Sequence, residues 1–139
     1  MKSQAKILVV DDEAHIRKFV GVLVKSLGGD PIVLQAANGS DAQAVYETEK
    51  PDLVLLDVNM PRVDGIQTLR NLKRVDPRCV VVMLTSLVNR QTVEECLRLG
   101  AVGYLRKDNH PDEMTAQLKK IVDRCFTPVP TGATTTPAA

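Results

Sequence analysis

Apolar residues along the chain fall into two alternating patterns: short continuous runs and longer stretches at helical spacing. Lys6–Val10, KILVV, is a β-branched run of strand length. Ile16, Phe19, Val20, Leu23, Val24 and Leu27 then recur at helical spacing and stop at Gly28-Gly29. Residues 31–36, PIVLQA, predict a second strand. Ser40 with Gln43 three positions on has the form of a capping box, starting a helix to about Glu49. The run 53–61, LVLLDVNMP, predicts a third strand entered through Pro51. Asp64 and Gln67 repeat the cap pattern before Ile66, Leu69 and Leu72. Residues 78–84, RCVVVML, read as the fourth strand; Val93, Cys96 and Leu97, ended by Gly100, read as the fourth helix. Residues 101–105, AVGYL, make a shorter fifth strand. Met114, Leu118, Ile121, Val122 and Cys125 form an apolar stripe on a fifth helix that Pro111 helps to start.

Five strand–helix units with short connections imply an α/β fold with a parallel sheet covered by helices on both faces. Right-handed crossovers leave few topologies for it. The expected domain spans residues 1–126. Residues 127–139, TPVPTGATTTPAA, have no apolar period and are expected to form a disordered tail or linker stub.

Composition narrows the function classes. The chain of 139 residues carries 18 Lys plus Arg against 17 Asp plus Glu, so bulk charge gives no reason to expect direct nucleic-acid or membrane binding. No apolar run approaches the length of a bilayer span, and the start, MKSQAKILVVDDE, does not read as a signal peptide. Cys79, Cys96 and Cys125 are odd in number and far apart, unlike a metal-ligand set. They read as small buried hydrophobes in a reducing compartment, which points to the cytoplasm.

The strands end in chemistry. A carboxylate at the end of an apolar run, such as Asp57, loses free energy when taken out of water. In an open parallel α/β sheet, ligands bind at the carboxyl ends of the strands where the strand order reverses. The first strand ends in Asp11-Asp12-Glu13, the third in Asp57 and the fourth in Thr85-Ser86, while Lys107 follows the fifth. Adjacent strands lie roughly 5 Å apart, so these groups would converge. Crowded carboxylates resist ionising, and a divalent cation of the Mg²⁺ kind resolves the conflict. Such a site suits a phosphate-bearing ligand, with Asp57 attacking phosphorus in line. Taken singly, Asp12 reads as a helix cap, Thr85-Ser86 as turn chemistry and Lys107 as a surface lysine; it is their combination that points to a site.

With these residues in place, "ILVVDDE", "DLVLLDVNMPRVDG", "VVMLTS" and "GAVGYLRK" resemble the receiver domain of bacterial response regulators, of the chemotaxis-type single-domain kind. The resemblance covers about residues 6–125. It implies a flavodoxin-like, doubly wound sheet of order 2-1-3-4-5 with five helices, acting as a phosphorylation-activated switch in a two-component phosphorelay. By that resemblance Asp57 is the phosphoacceptor, Asp12 and Asp11 hold Mg²⁺, Asn59 adds a backbone carbonyl, and Thr85 and Lys107 contact the phosphoryl group. Thr85 and Tyr104 are the switch pair. The implied partners are a sensor histidine kinase or histidine phosphotransfer protein, which would dock near the helix carrying His15. An output protein would bind the face of the fourth helix, fifth strand and fifth helix, and phosphorylation-dependent dimerisation is compatible with the family. The chemistry is self-phosphorylation and self-dephosphorylation rather than turnover of a substrate.

Two departures bear on this expectation. The family commonly has proline after the lysine, often with a cis bond; here Asp108 follows, and a non-proline cis bond costs about 3–4 kcal/mol, so a trans or locally strained bond is expected. Asn59 and Leu87 occupy variable pocket positions, where an apolar Leu87 would shield the acyl phosphate from water. Two other readings remain. One is the receiver portion of a DNA-binding regulator. The other is an Mg²⁺-dependent aspartyl-nucleophile phosphohydrolase similar to haloacid-dehalogenase-type phosphatases, which place an acid where Asn59 stands. His15 and His110 read as solvent-facing or helix-start residues, not relay histidines.

Overall fold

The computed structural model describes residues 5–60, 64–86 and 90–126. Ten elements alternate: β1 (Lys6–Val10), α1 (Ala14–Lys25), β2 (Ile32–Ala36), α2 (Gly39–Glu49), β3 (Leu53–Asp57), α3 (Gly65–Val75), β4 (Val81–Thr85), α4 (Arg90–Arg98), β5 (Gly103–Arg106) and α5 (Pro111–Phe126). All strand pairs are parallel, in the order β2-β1-β3-β4-β5. The alternating pattern predicts the covered parallel sheet, and the flavodoxin-like, doubly wound strand order is the one that the family resemblance implies.

Period-2 alternation splits each central strand between two cores. Leu8, Val10, Val54, Leu56, Val81 and Met83 face α2, α3 and α4, where Ala42, Tyr46, Leu69, Leu72 and Cys96 close the layer. Ile7, Val9, Leu53, Leu55, Val82 and Leu84 face Val20 and Val24 of α1 and Leu118 and Ile121 of α5. Because both faces are covered, β3 and β4 are buried at every position. That is why they read as continuous apolar runs rather than as alternation. The edge strands β2 and β5 are more exposed.

Local differences from the expected boundaries have plain causes. The cap of α2 is Asn38, whose Oδ1 accepts from the Asp41 N–H at 2.8 Å, so Ser40 sits inside the first turn. Asp64 caps α3 as expected, accepting from the Gln67 N–H at 2.8 Å. Strand β4 begins at Val81 because Asp76 Oδ1 accepts the Arg78 N–H at 2.9 Å and holds a turn there. At the start of α1 the cap position is Glu13, without a side-chain cap bond, which leaves Asp12 free of that duty. The expectations for Leu87 and for residues 127–139 fall outside the described residues.

Candidate functional site

The strand order reverses between β1 and β3, and the groups singled out in the sequence cluster at that crevice. Asp11 follows the last residue of β1 and is fully buried. Its N–H continues the sheet to Ala36 O at 3.2 Å, and its Oδ1 accepts the Glu13 N–H at 2.9 Å. Oδ2 is buried without a hydrogen bond of good direction, yet lies 2.6 Å from Lys107 Nζ as an ion pair. Asp57, the last residue of β3, is 2% exposed; its Oδ1 accepts the Asn59 N–H at 3.1 Å and pairs with Lys107 Nζ at 3.1 Å. Asp12 is exposed at the mouth. Asp11, Asp12 and Asp57 each bring a carboxylate oxygen to within 4.8 Å of the others.

Electrostatics in this crevice are set by burial. Desolvation pushes the Asp57 carboxyl up to about 6; the Asp11 charge adds to the rise, while Lys107 and the Asn59 N–H pull against it. For Lys107, burial works against the ammonium, but contact with Asp11 and Asp57 outweighs it and the pKa is raised. Buried carboxylates, one with an oxygen lacking a well-directed donor, beside an exposed third acid form an all-oxygen set that fits a hard divalent cation keeping some of its water.

Around this cluster, Thr85 ends β4 and is buried, and its carbonyl accepts the Lys107 N–H at 2.7 Å. That bond ties the β5–α5 turn to the end of β4. Tyr104 is half-buried in β5. It lines a small cavity with Val58, Met83, Thr85, Thr92 and Cys96. Asn59 is exposed, and it is its backbone N–H that bonds the Asp57 carboxylate. The described residues contain no cis peptide bond, so Lys107–Asp108 is trans. His15 is exposed on α1, and His110 accepts the Asp112 N–H through Nδ1 at the start of α5, a helix-start role.

Three contributors escape a reading by residue type. Gly65 opens α3 against the β3 end: its N–H donates to Val58 O at 2.9 Å, and an added Cβ would overlap the Asp57 carbonyl oxygen and lie 2.7 Å from Val58 Cα. Arg17 on α1 donates through Nη1 to Asp11 O at 2.7 Å and through Nε to Gln35 at 2.9 Å, bracing the acidic loop. Arg106 and Asp108, on either side of Lys107, pair with each other. The only signals in the sequence were the glycine after a cap and the charged pair flanking the lysine.

The response regulator receiver domain family matches residues 7–119. The chain belongs to that family. It is a receiver domain of the two-component response regulators, the class that serves phosphorelay signalling. It is 31% identical to chemotaxis protein CheY of Bacillus subtilis over 119 residues, covering 85% of this chain and 98% of the relative. Over 121 residues it is 39% identical to the phosphate regulon transcriptional regulatory protein PhoB of Pseudomonas aeruginosa, covering 85% of this chain but 52% of that protein. The chain thus spans about half the length of its transcriptional relatives and nearly all of the chemotaxis one. Among solved structures, the CheX–CheY–BeF3–Mg²⁺ complex of Borrelia burgdorferi superposes with a TM-score of 0.79 at 30% identity, covering 89% of this chain and 90% of the other. Among the described residues of this receiver domain no helix is long and apolar enough to cross a membrane.

Proposed function

We propose that Asp57 is the phosphoacceptor of a phosphorylation-activated switch within a receiver domain spanning residues 1–126. The observation that carries the reading is the buried Asp57 carboxylate, 3.1 Å from the Lys107 ammonium and grouped with Asp11 and Asp12. An Asp57 oxygen attacks phosphorus, the P–N bond of a donor phosphohistidine breaks with its electron pair leaving on the imidazole, and an acyl phosphate forms. Asp11, Asp12, Asp57 and the Asn59 carbonyl would hold Mg²⁺, which when bound offsets charge on the phosphoryl oxygens. Lys107 supplies a second cation on the other side, and the Thr85 hydroxyl bonds a phosphoryl oxygen.

In this reading the donor is a sensor histidine kinase or a phosphotransfer protein. The output partner binds the face of α4, β5 and α5, where Leu97 is exposed and Tyr104 lies at the edge of a cavity shared with Thr85. BeF3 with Mg²⁺ in the Borrelia relative supports an anion-plus-cation site in this fold. A cytoplasmic setting fits the free cysteines. The same switch serves a stand-alone protein or a receiver joined to an effector, and the natural reading frame beyond Ala139 separates the two.

Incubating the protein with Mg²⁺ and a small acyl phosphate, followed by intact-mass measurement, tests the assignment. One phosphate, labile to base and to hydroxylamine as an acyl phosphate is, is expected, and none in Asp57→Asn or in the presence of a chelator. A label retained by Asp57→Asn would overturn it, and multiple turnover of simple phosphate esters would favour a hydrolase instead.

A further inference from the structure

We propose that the Arg106–Asp108 ion pair is a positioning device for Lys107, setting the backbone from which its ammonium reaches Asp11 and Asp57. The inference rests on the reading that Asp57 takes the phosphoryl group. Lys107 leaves β5 one residue after Arg106, and its N–H is held from the sheet side by Thr85 O at 2.7 Å. Asn109 N–H donates to Arg106 O at 3.2 Å, closing a turn with Lys107 and Asp108 at its centre. Across that turn the Arg106 guanidinium meets the Asp108 carboxylate with both prongs, Nε to Oδ1 at 3.0 Å and Nη2 to Oδ2 at 2.8 Å.

Position 108 is where a proline would stiffen the chain by its ring; here the peptide bond is trans and the residue is acidic. A two-pronged pair across a tight turn removes the same freedom by other means. It leaves the side chain between its partners, Lys107, aimed inward. Both members are substantially exposed, at 41% and 50%, so the pair adds little to global stability. Its value is geometric. Lysine reaches the site on a flexible four-carbon stem, and a backbone displacement of about 1 Å at its root costs rate out of proportion to its energy. Arg106 and Asp108 bond each other while Lys107 between them pairs with Asp11 and Asp57, so the pair acts on the site through Lys107.

The full chain is labelled with a small acyl phosphate at saturating Mg²⁺, comparing the parent with Arg106→Ala, Asp108→Ala and the exchanged pair Arg106→Asp/Asp108→Arg. The single variants are expected to transfer roughly three- to tenfold more slowly at saturating donor. Half-saturating donor, Mg²⁺ affinity by calorimetry and the unfolding midpoint should stay at parent values, and the exchanged pair should regain most of the rate. Raising salt should slow the parent toward the single variants by screening the pair. Single variants that label at the parent rate overturn the inference, as does a loss that the exchange leaves unrepaired. Neither result touches the assignment of Asp57, which fails only if Asp57→Asn still takes the label.

Discussion

Burial raises the Asp57 carboxyl from 3.8 to about 6 although Lys107 stands beside it, so the folded chain holds that proton more tightly than the unfolded chain does. The sign follows from linkage. Between pH 4 and 6 the unfolded state releases the proton first, stability falls as pH rises, and above pH 6 the loss is complete. Two pKa units correspond to up to about 3 kcal/mol, from which Asp57→Asn should recover about 1–3 kcal/mol, since Lys107 keeps Asp11 as a partner. Denaturant unfolding in chelator is expected to show the variant more stable at pH 8 and no more stable at pH 4. A variant less stable than the parent at pH 8 would show that the charge is welcome where it lies. A divalent cation held by Asp11, Asp12 and Asp57 would lower this cost of ionising Asp57.

At the scale of elements, the start of α3 is packed onto the end of β3 with no room for a side chain. Gly65 has an unremarkable φ; what it needs is the missing Cβ, since the methyl of Gly65→Ala would collide with the Asp57–Val58 backbone. Overpacking of this kind costs about 1–3 kcal/mol. Because the strain falls on Asp57 itself, the labelling rate should drop along with the unfolding midpoint. A variant with the parent midpoint and parent rate would show that α3 slides away freely. This contact also marks how far the sequence could be read. Asp11, Asp57 and Lys107 were legible because charges ending apolar runs stand out, and parallel strands bring such ends together. Asp64 was legible as a cap, with Gln67 in the right place. Ser40 and Asn38 are equally able to cap, and only the backbone path, extended at Asn38, chose between them. The Arg17 brace on the Asp11 carbonyl and the closeness of Gly65 depend on where other elements lie, which spacing along the chain does not encode.

At the scale of the whole molecule, on the proposal that Asp57 takes the phosphoryl group, a signal there reaches a partner only if phosphorylation changes the balance between two arrangements of the outer face. Thr85 and Tyr104 border one cavity under α4, and α4 itself has Cys96 as its sole buried residue. The route from site to surface is therefore short, and the helix over it is lightly anchored. The two tyrosines and absence of tryptophan make this measurable: Tyr46 is buried with its hydroxyl donating to the Asp76 carboxylate at 2.8 Å, so Tyr46→Phe leaves Tyr104 as the sole tyrosine emitter, at a cost of about 1.5–3 kcal/mol for the lost bond. In that background, beryllofluoride with Mg²⁺ is expected to change the Tyr104 emission and its quenching by iodide. Adding Thr85→Ala should weaken the analogue by the loss of one hydrogen bond, followed by calorimetry, yet at saturating analogue it should abolish the emission change. Linkage requires the reverse effect as well: a partner preferring one Tyr104 arrangement must tighten the analogue by the same factor, typically 5- to 150-fold, and Thr85→Ala must erase that tightening. An emission change that persists in full without the Thr85 hydroxyl would mean that the signal leaves the site through another element, with α4 and its cavity as bystanders.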